Sequence, residues 1–82
     1  MNSPFIADQS RRLVSQEGFT KIQTDKARVA HLYHTIFQRD PTTVESREAT
    51  AYVAAASEGQ RVNAWAEFTQ VLLLSNEFRY VD

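Results

Sequence analysis

The chain has 82 residues, 43% of them hydrophobic, with two glycines, two prolines and no cysteine. That is the length of one domain, too apolar for a disordered chain and free of disulfides and thiolate metal sites. Nine Lys or Arg oppose ten Asp or Glu for a formal charge of −1, so no strong field attracts a polyanion, and no apolar run approaches the ~20 residues of a membrane span.

Ser3 and Pro4 read as a helix start. A serine hydroxyl suits the N-cap, and proline suits the first helical position, where its missing N–H costs nothing. The first helix is expected from about residue 4 to 17, with Phe5, Ile6, Leu13 and Val14 near one face and Gly18 as its stop. The opening residues lack the charged and then apolar pattern of a signal peptide.

A second helix is expected to end near Phe37 and to start at Thr20, which has capping-box spacing to Gln23, or at Thr24. Val29, Leu32, Tyr33, Ile36 and Phe37 form the clearest amphipathic stripe of the chain, and Ile22 lies one heptad before Val29. Asp40-Pro41 interrupts it, because proline disfavours helix at the preceding residue. Thr42 and Glu45 then make a capping box for a third helix of roughly residues 43 to 57. Its expected apolar face is Val44, Ala51, Tyr52 and Ala55, with Ala49, Ala54 and Ala56 nearby, small enough for another helix to approach closely, and Gly59 ends the segment. Asn63 is the expected cap of a fourth helix of about residues 64 to 76. Trp65, Phe68 and Leu72 align along it, Val71 to Leu74 make it apolar nearly all round, and it is expected to be the central helix. Phe78 and Tyr80 continue the anchoring.

Few side chains carry a chemical signal. His31 and His34 are three apart, but zinc needs three or four protein ligands and no further His or Cys is present. Glu45 and Glu48 read as a cap and a dipole complement rather than an acid–base pair. Ser75 has no His-Asp support for a nucleophilic role. Asn76 and Glu77 read as structural capping at the end of an apolar helix. Arg39 sits where a cation meets a helix C-terminus, within reach of Asp40 or Glu45. Trp65 and Tyr33 are core candidates. No catalytic, cofactor-binding or metal-binding residue is therefore expected, and no cofactor.

Three blocks occur in order: Met1-Asn2-Ser3-Pro4-Phe5; Leu32-Tyr33 with Ile36-Phe37, Arg39, Pro41-Thr42 and Glu45; and Trp65-Ala66, Phe68, Gln70, Leu72-Leu73, then Ser75-Asn76-Glu77-Phe78 with Tyr80-Val81-Asp82. Together they resemble the C-terminal portion of the planctomycete-type domain of unknown function 1553, over essentially the whole chain. Gln38 stands where that family usually has Gly, and Leu74 where it usually has Asn. The resemblance implies a large exported or periplasmic bacterial protein, often with a planctomycete cytochrome c-like domain, in which this segment is C-terminal and Met1 internal. It implies no catalytic residues.

The expected fold is all-α, a compact four-helix domain with short loops. Its expected core is Phe5, Ile6, Leu13, Val29, Leu32, Tyr33, Ile36, Phe37, Tyr52, Trp65, Phe68, Leu72 and Phe78. The expected function is a non-catalytic helical module for intra- or intermolecular protein docking. A small helix-turn-helix DNA-binding domain is the alternative. Arg47 stands there against Glu45, Glu48 and Glu58, and the expected fourth helix holds Glu67 and no Lys or Arg, so nucleic acid is not an expected partner.

Overall fold

The computed structural model describes residues 4–78, with side chains described through residue 76. In chain order the elements are α1 (Pro4–Ser15), α2 (Glu17–Thr20), α3 (Asp25–Phe37), α4 (Thr43–Ala54), a 3-10 turn (Glu58–Gln60) and α5 (Arg61–Phe78). No strand occurs among the described residues. The protein is all-α, with four helices of three turns or more and one single-turn helix, α2, among the described residues. The expected cap at Ser3 and the anchoring by Phe78 and Tyr80 lie outside the described side chains.

Local chemistry explains most boundaries. Pro4 opens α1. That helix stops not at Gly18 but at Gln16, whose extended backbone (φ −70°, ψ 146°) breaks it. Gly18 lies inside α2, and neither glycine has a positive φ. Thr24, rather than Thr20, starts α3, its hydroxyl accepting from the Ala27 N–H at 3.2 Å. Gln38 ends α3 in the left-handed region (φ 59°, ψ 38°) with its N–H donating to the His34 carbonyl at 3.1 Å. A residue with a Cβ is strained there, where glycine is not. The capping box of α4 is present in both directions: the Thr42 hydroxyl accepts from the Glu45 N–H at 3.1 Å, and the Glu45 carboxylate accepts from the Thr42 N–H at 2.9 Å. α4 ends at Ala54, short of the expected residue 57. α5 begins at Arg61, because the 3-10 turn leads straight into it. Asn63 is thus inside the first turn, its side chain donating to the Gln60 amide oxygen at 2.9 Å.

α5 is central. It carries α1 on one side and packs against both α3 and α4 on the other. Val14 near the end of α1 meets Val62 and Trp65 at the start of α5 around one small cavity of about 80 Å³. Since α1 and α5 also share the most extensive helix contact, the two run antiparallel. The inward stripe of α1 is Ile6, Ser10 and Val14, at i, i+4 and i+8. Two hydroxyls are buried here at no cost in unpaired groups. Ser10 donates to the Ala7 carbonyl, and Thr69 to the Trp65 carbonyl, both at 2.8 Å.

The core comprises Val14, Phe19, Val29, Leu32, Tyr33, Ala49, Val53, Trp65 and Leu72, with Ile36, Phe37, Ala66 and Phe68 half-buried against it. Two expected core residues are exposed. Phe5 is 67% exposed, because it sits one residue, about 100° of helix, away from Ile6. Tyr52 is 48% exposed and reaches along the surface to the Glu67 carboxylate, 2.8 Å away. That contact raises the Tyr52 pKa. α4 is correspondingly rotated from expectation. Ala49 and Val53 face the core while Val44 points out. Leu13 is only half-buried.

Trp65 is the largest fully buried side chain. Its indole meets Phe19 edge-on at 5.3 Å and Phe68 at 6.3 Å between ring centroids. Arg28 covers this cluster, its guanidinium 4.8 Å from the Phe19 ring and 5.7 Å from the Trp65 ring. The same guanidinium donates to the Ile22 and Thr20 carbonyls at 2.9 and 3.0 Å. It therefore fastens the α2–α3 connection over the indole.

Trp65→Ala should lower stability by about 3–5 kcal/mol, as large buried aromatics do. Phe5→Ser should change it by less than about 0.5 kcal/mol. Urea denaturation of both variants reads the contrast; equal losses would put Phe5 back in the core. Gln38→Gly should be neutral or stabilising by up to about 1 kcal/mol, and clear destabilisation would mean that position 38 is not left-handed.

Candidate functional site

The densest polar constellation lies where α3 turns into α4. Gln38 reverses the chain, and Arg39 is thereby brought across Tyr33 and Phe37, its guanidinium 5.3 and 5.6 Å from their ring centroids. It forks onto Glu45 with two bonds of 2.9 and 3.0 Å and also donates to the Asp40 carbonyl at 2.9 Å. The same Glu45 carboxylate completes the capping box. The Arg39 bond, the Thr42 N–H bond and the nearby positive charge hold its pKa down at about 2. Burial, with Glu45 and Glu48 nearby, raises that of Tyr33.

Every shift in this corner thus has a structural cause. A general acid or base working near neutral pH needs a pKa moved toward neutrality, and Glu45 is moved the other way. Of the two partners named for Arg39 from sequence, Glu45 takes the fork and Asp40 offers only its backbone.

The two histidines diverge. His34 pairs with the Asp40 carboxylate, while His31 lies beside Phe19 with ring centroids 6.2 Å apart. No group of three or more His, Asp or Glu side chains converges as a metal site among the described residues. Glu48 lies on the exposed side of α4, apart from the Arg39 fork. Ser75 is exposed, and Asn76 is half-buried within α5 rather than capping it, because the helix continues to Phe78. Tyr33 and Trp65 are core residues as expected.

Two further side chains matter that the sequence reading passed over. Arg61, at the first position of α5, pairs with Asp25 at the first turn of α3 and raises its own pKa by that bond. It also reaches the Val53 carbonyl at 3.5 Å. Arg28 closes the aromatic cluster; each cation has a carboxylate three residues earlier, Asp25 and Glu58, but the fold gives them other partners.

Surface depressions border these elements. An open groove of about 540 Å³ lies between α3 and α4, lined among others by Lys26, Ala30, Pro41, Ser46, Arg47 and Thr50. A second of about 390 Å³ follows the α1–α5 seam, with Val14, Ala66 and the 73%-exposed Val62 in its lining. A third, about 310 Å³, lies beside Tyr52 and Glu67. No known protein family, curated protein or solved structure matches the chain.

Because Glu45 is held below its ordinary value of 4.5, at about 2, it contributes stability that is complete above pH 4.5 and is lost as pH falls toward 2. The pair is partly exposed, so the contribution is discounted to about 1 kcal/mol. Glu45→Gln should therefore cost about that much at pH 7, and the gap from the parent chain should close near pH 2. Thermal melts at both pH values check this; a gap of constant size would mean the carboxylate charge is not what matters.

Proposed function

We propose that this chain is a non-catalytic helical module that docks a partner protein through the α1–α5 face. The observation that carries the reading is the build of that face. α1 is supported on one side only, by α5 and the short α2, so the layer there is a single helix thick. Val62 remains in solvent along it, 73% exposed. Val62 also lines the seam groove with Val14 and Ala66. Another helix laid on this face would add the missing layer and bury Val62.

The polar constellations point the same way. Arg39–Glu45, Arg61–Asp25 and Arg28 with its two carbonyls are each consumed in joining elements of the fold, which suits a scaffold rather than a reaction site. The resemblance noted from the sequence suggests the partner: another region of a longer exported polypeptide, with this module toward its C-terminal end. α1 and α5 run antiparallel, so a preceding segment would arrive next to where α5 finishes, beside the exposed Phe5.

A photo-crosslinking residue placed at position 62 in the producing cells should give a discrete adduct, intramolecular or to one other protein, resolved by mass spectrometry. The same residue at position 23, in the connection before α3, should not. Absence of a discrete adduct at 62, or the same adducts from both positions, would contradict docking through this face.

A further inference from the structure

We infer that the open groove between α3 and α4 receives an acidic peptide segment of the docking partner, held by Lys26 and Arg47. This rests on the docking reading and names the chemistry of a second contact. The charge distribution carries it. Arg11 and Arg12 lie beside Asp8, Arg39 forks onto Glu45, Arg61 pairs with Asp25, and Arg28 donates to two backbone carbonyls. Lys26 and Arg47 have no hydrogen-bond or ion-pair partner among the described residues, and both line the same groove. The one carboxylate in that lining, Asp40, is engaged by the His34 ring. Glu45, next to the groove, is neutralised by Arg39. Glu48 follows Arg47 on α4 but is not part of the lining. Two uncommitted cations at one depression leave a net positive site on a chain whose overall charge is −1, and such a local excess attracts carboxylates.

The shape and the remaining donors select a peptide over a small anion. The volume of about 540 Å³ falls within the usual ~300–1,000 Å³ of ligand sites. Compact phosphates are held by free N–H groups at a helix start. At α4 the Thr42 and Glu45 N–H groups are taken up by the capping box, which leaves fewer of these donors. An extended acidic segment can reach both cations while Ala30 and Pro41 cover its apolar atoms. The hydroxyls of Thr43 and Ser46, also unpartnered among the described residues, can donate to its carbonyls.

The test is an amide NMR titration of the isotope-labelled chain at low ionic strength with acetylated hexaglutamate, acetylated hexaglutamine and inorganic phosphate. Hexaglutamate should shift the amides of Lys26, Ala30, Thr43, Ser46, Arg47 and Thr50, and added salt should reverse the shifts. Hexaglutamine should have no effect. Lys26→Gln with Arg47→Gln should weaken binding about tenfold or more. Arg11→Gln with Arg12→Gln, on α1, should leave it unchanged. All four positions are exposed, and circular dichroism verifies that both double variants stay folded. Shifts located elsewhere, unchanged affinity in the Lys26/Arg47 variant, or an equal response to phosphate alone would overturn the inference. The probe is a free peptide and the groove is not on the α1–α5 face. Failure here leaves the crosslinks from position 62 standing, and the reverse also holds.

Discussion

The indole of Trp65 joins parts of the chain that would otherwise have little reason to stay together. It stands on the central helix α5, takes Phe19 of α2 edge-on, lies against Phe68 and is roofed by Arg28 of α3. Aromatic pairs at these separations add about 0.5–1.5 kcal/mol beyond simple burial, and a partly buried cation–π contact is of similar size. Its Nε1–H is buried with no hydrogen-bond acceptor among the described residues, an arrangement that costs about 1–3 kcal/mol. The surrounding burial outweighs this. In a domain of 82 residues the margin of stability is only a few kcal/mol, so the cluster carries a large share of it.

Ionic ties then join the helix ends. Arg61–Asp25 links the starts of α5 and α3, and Arg39–Glu45 links the end of α3 to the first turn of α4. Exposed pairs contribute little individually. These two are better placed than most, because each also bonds backbone: Arg61 to the Val53 carbonyl, Arg39 to the Asp40 carbonyl and Glu45 to the Thr42 N–H. The strain at Gln38 is the counterpart. The left-handed residue turns the chain so that Arg39 can cover Tyr33 and Phe37 while forking onto Glu45. With those cations committed to the fold, Lys26 and Arg47 are left to shape the charge of the α3–α4 groove.

The parts of this architecture that were legible in the sequence are those written in local chemistry. Thr24, Thr42 with Glu45, Pro4 and Pro41 each act through neighbours within a turn, and the α3 stripe repeats strongly enough to set its face. Trp65, Leu32 and Tyr33 were recognisable as core for the same reason. Phe19 was not, because it follows Gly18 in a stretch that reads as a turn, and its burial depends on Arg28 and Trp65, distant in sequence. The alanines of α4 give almost no amphipathic signal, so the bulk of Tyr52 and Val44 sets the expected face while Val53, with Ala49, is what the fold buries. Phe5 was misassigned by one helical position. At the candidate sites, the Arg39–Glu45 fork was within reach of a spacing argument, whereas Arg61–Asp25 joins residues far apart in sequence and could be seen only once the helices were in place.

The account makes Trp65 a shared element of every layer rather than a side chain covered by a locally opening α2. Native-state hydrogen exchange of the indole N–H, followed with the backbone amides of Val29 and Leu32 under increasing denaturant, tests this directly. The account predicts that all three exchange through one opening, with the same free energy and the same denaturant dependence. An indole proton that exchanged through a smaller, denaturant-independent opening, while the α3 amides stayed protected, would contradict it.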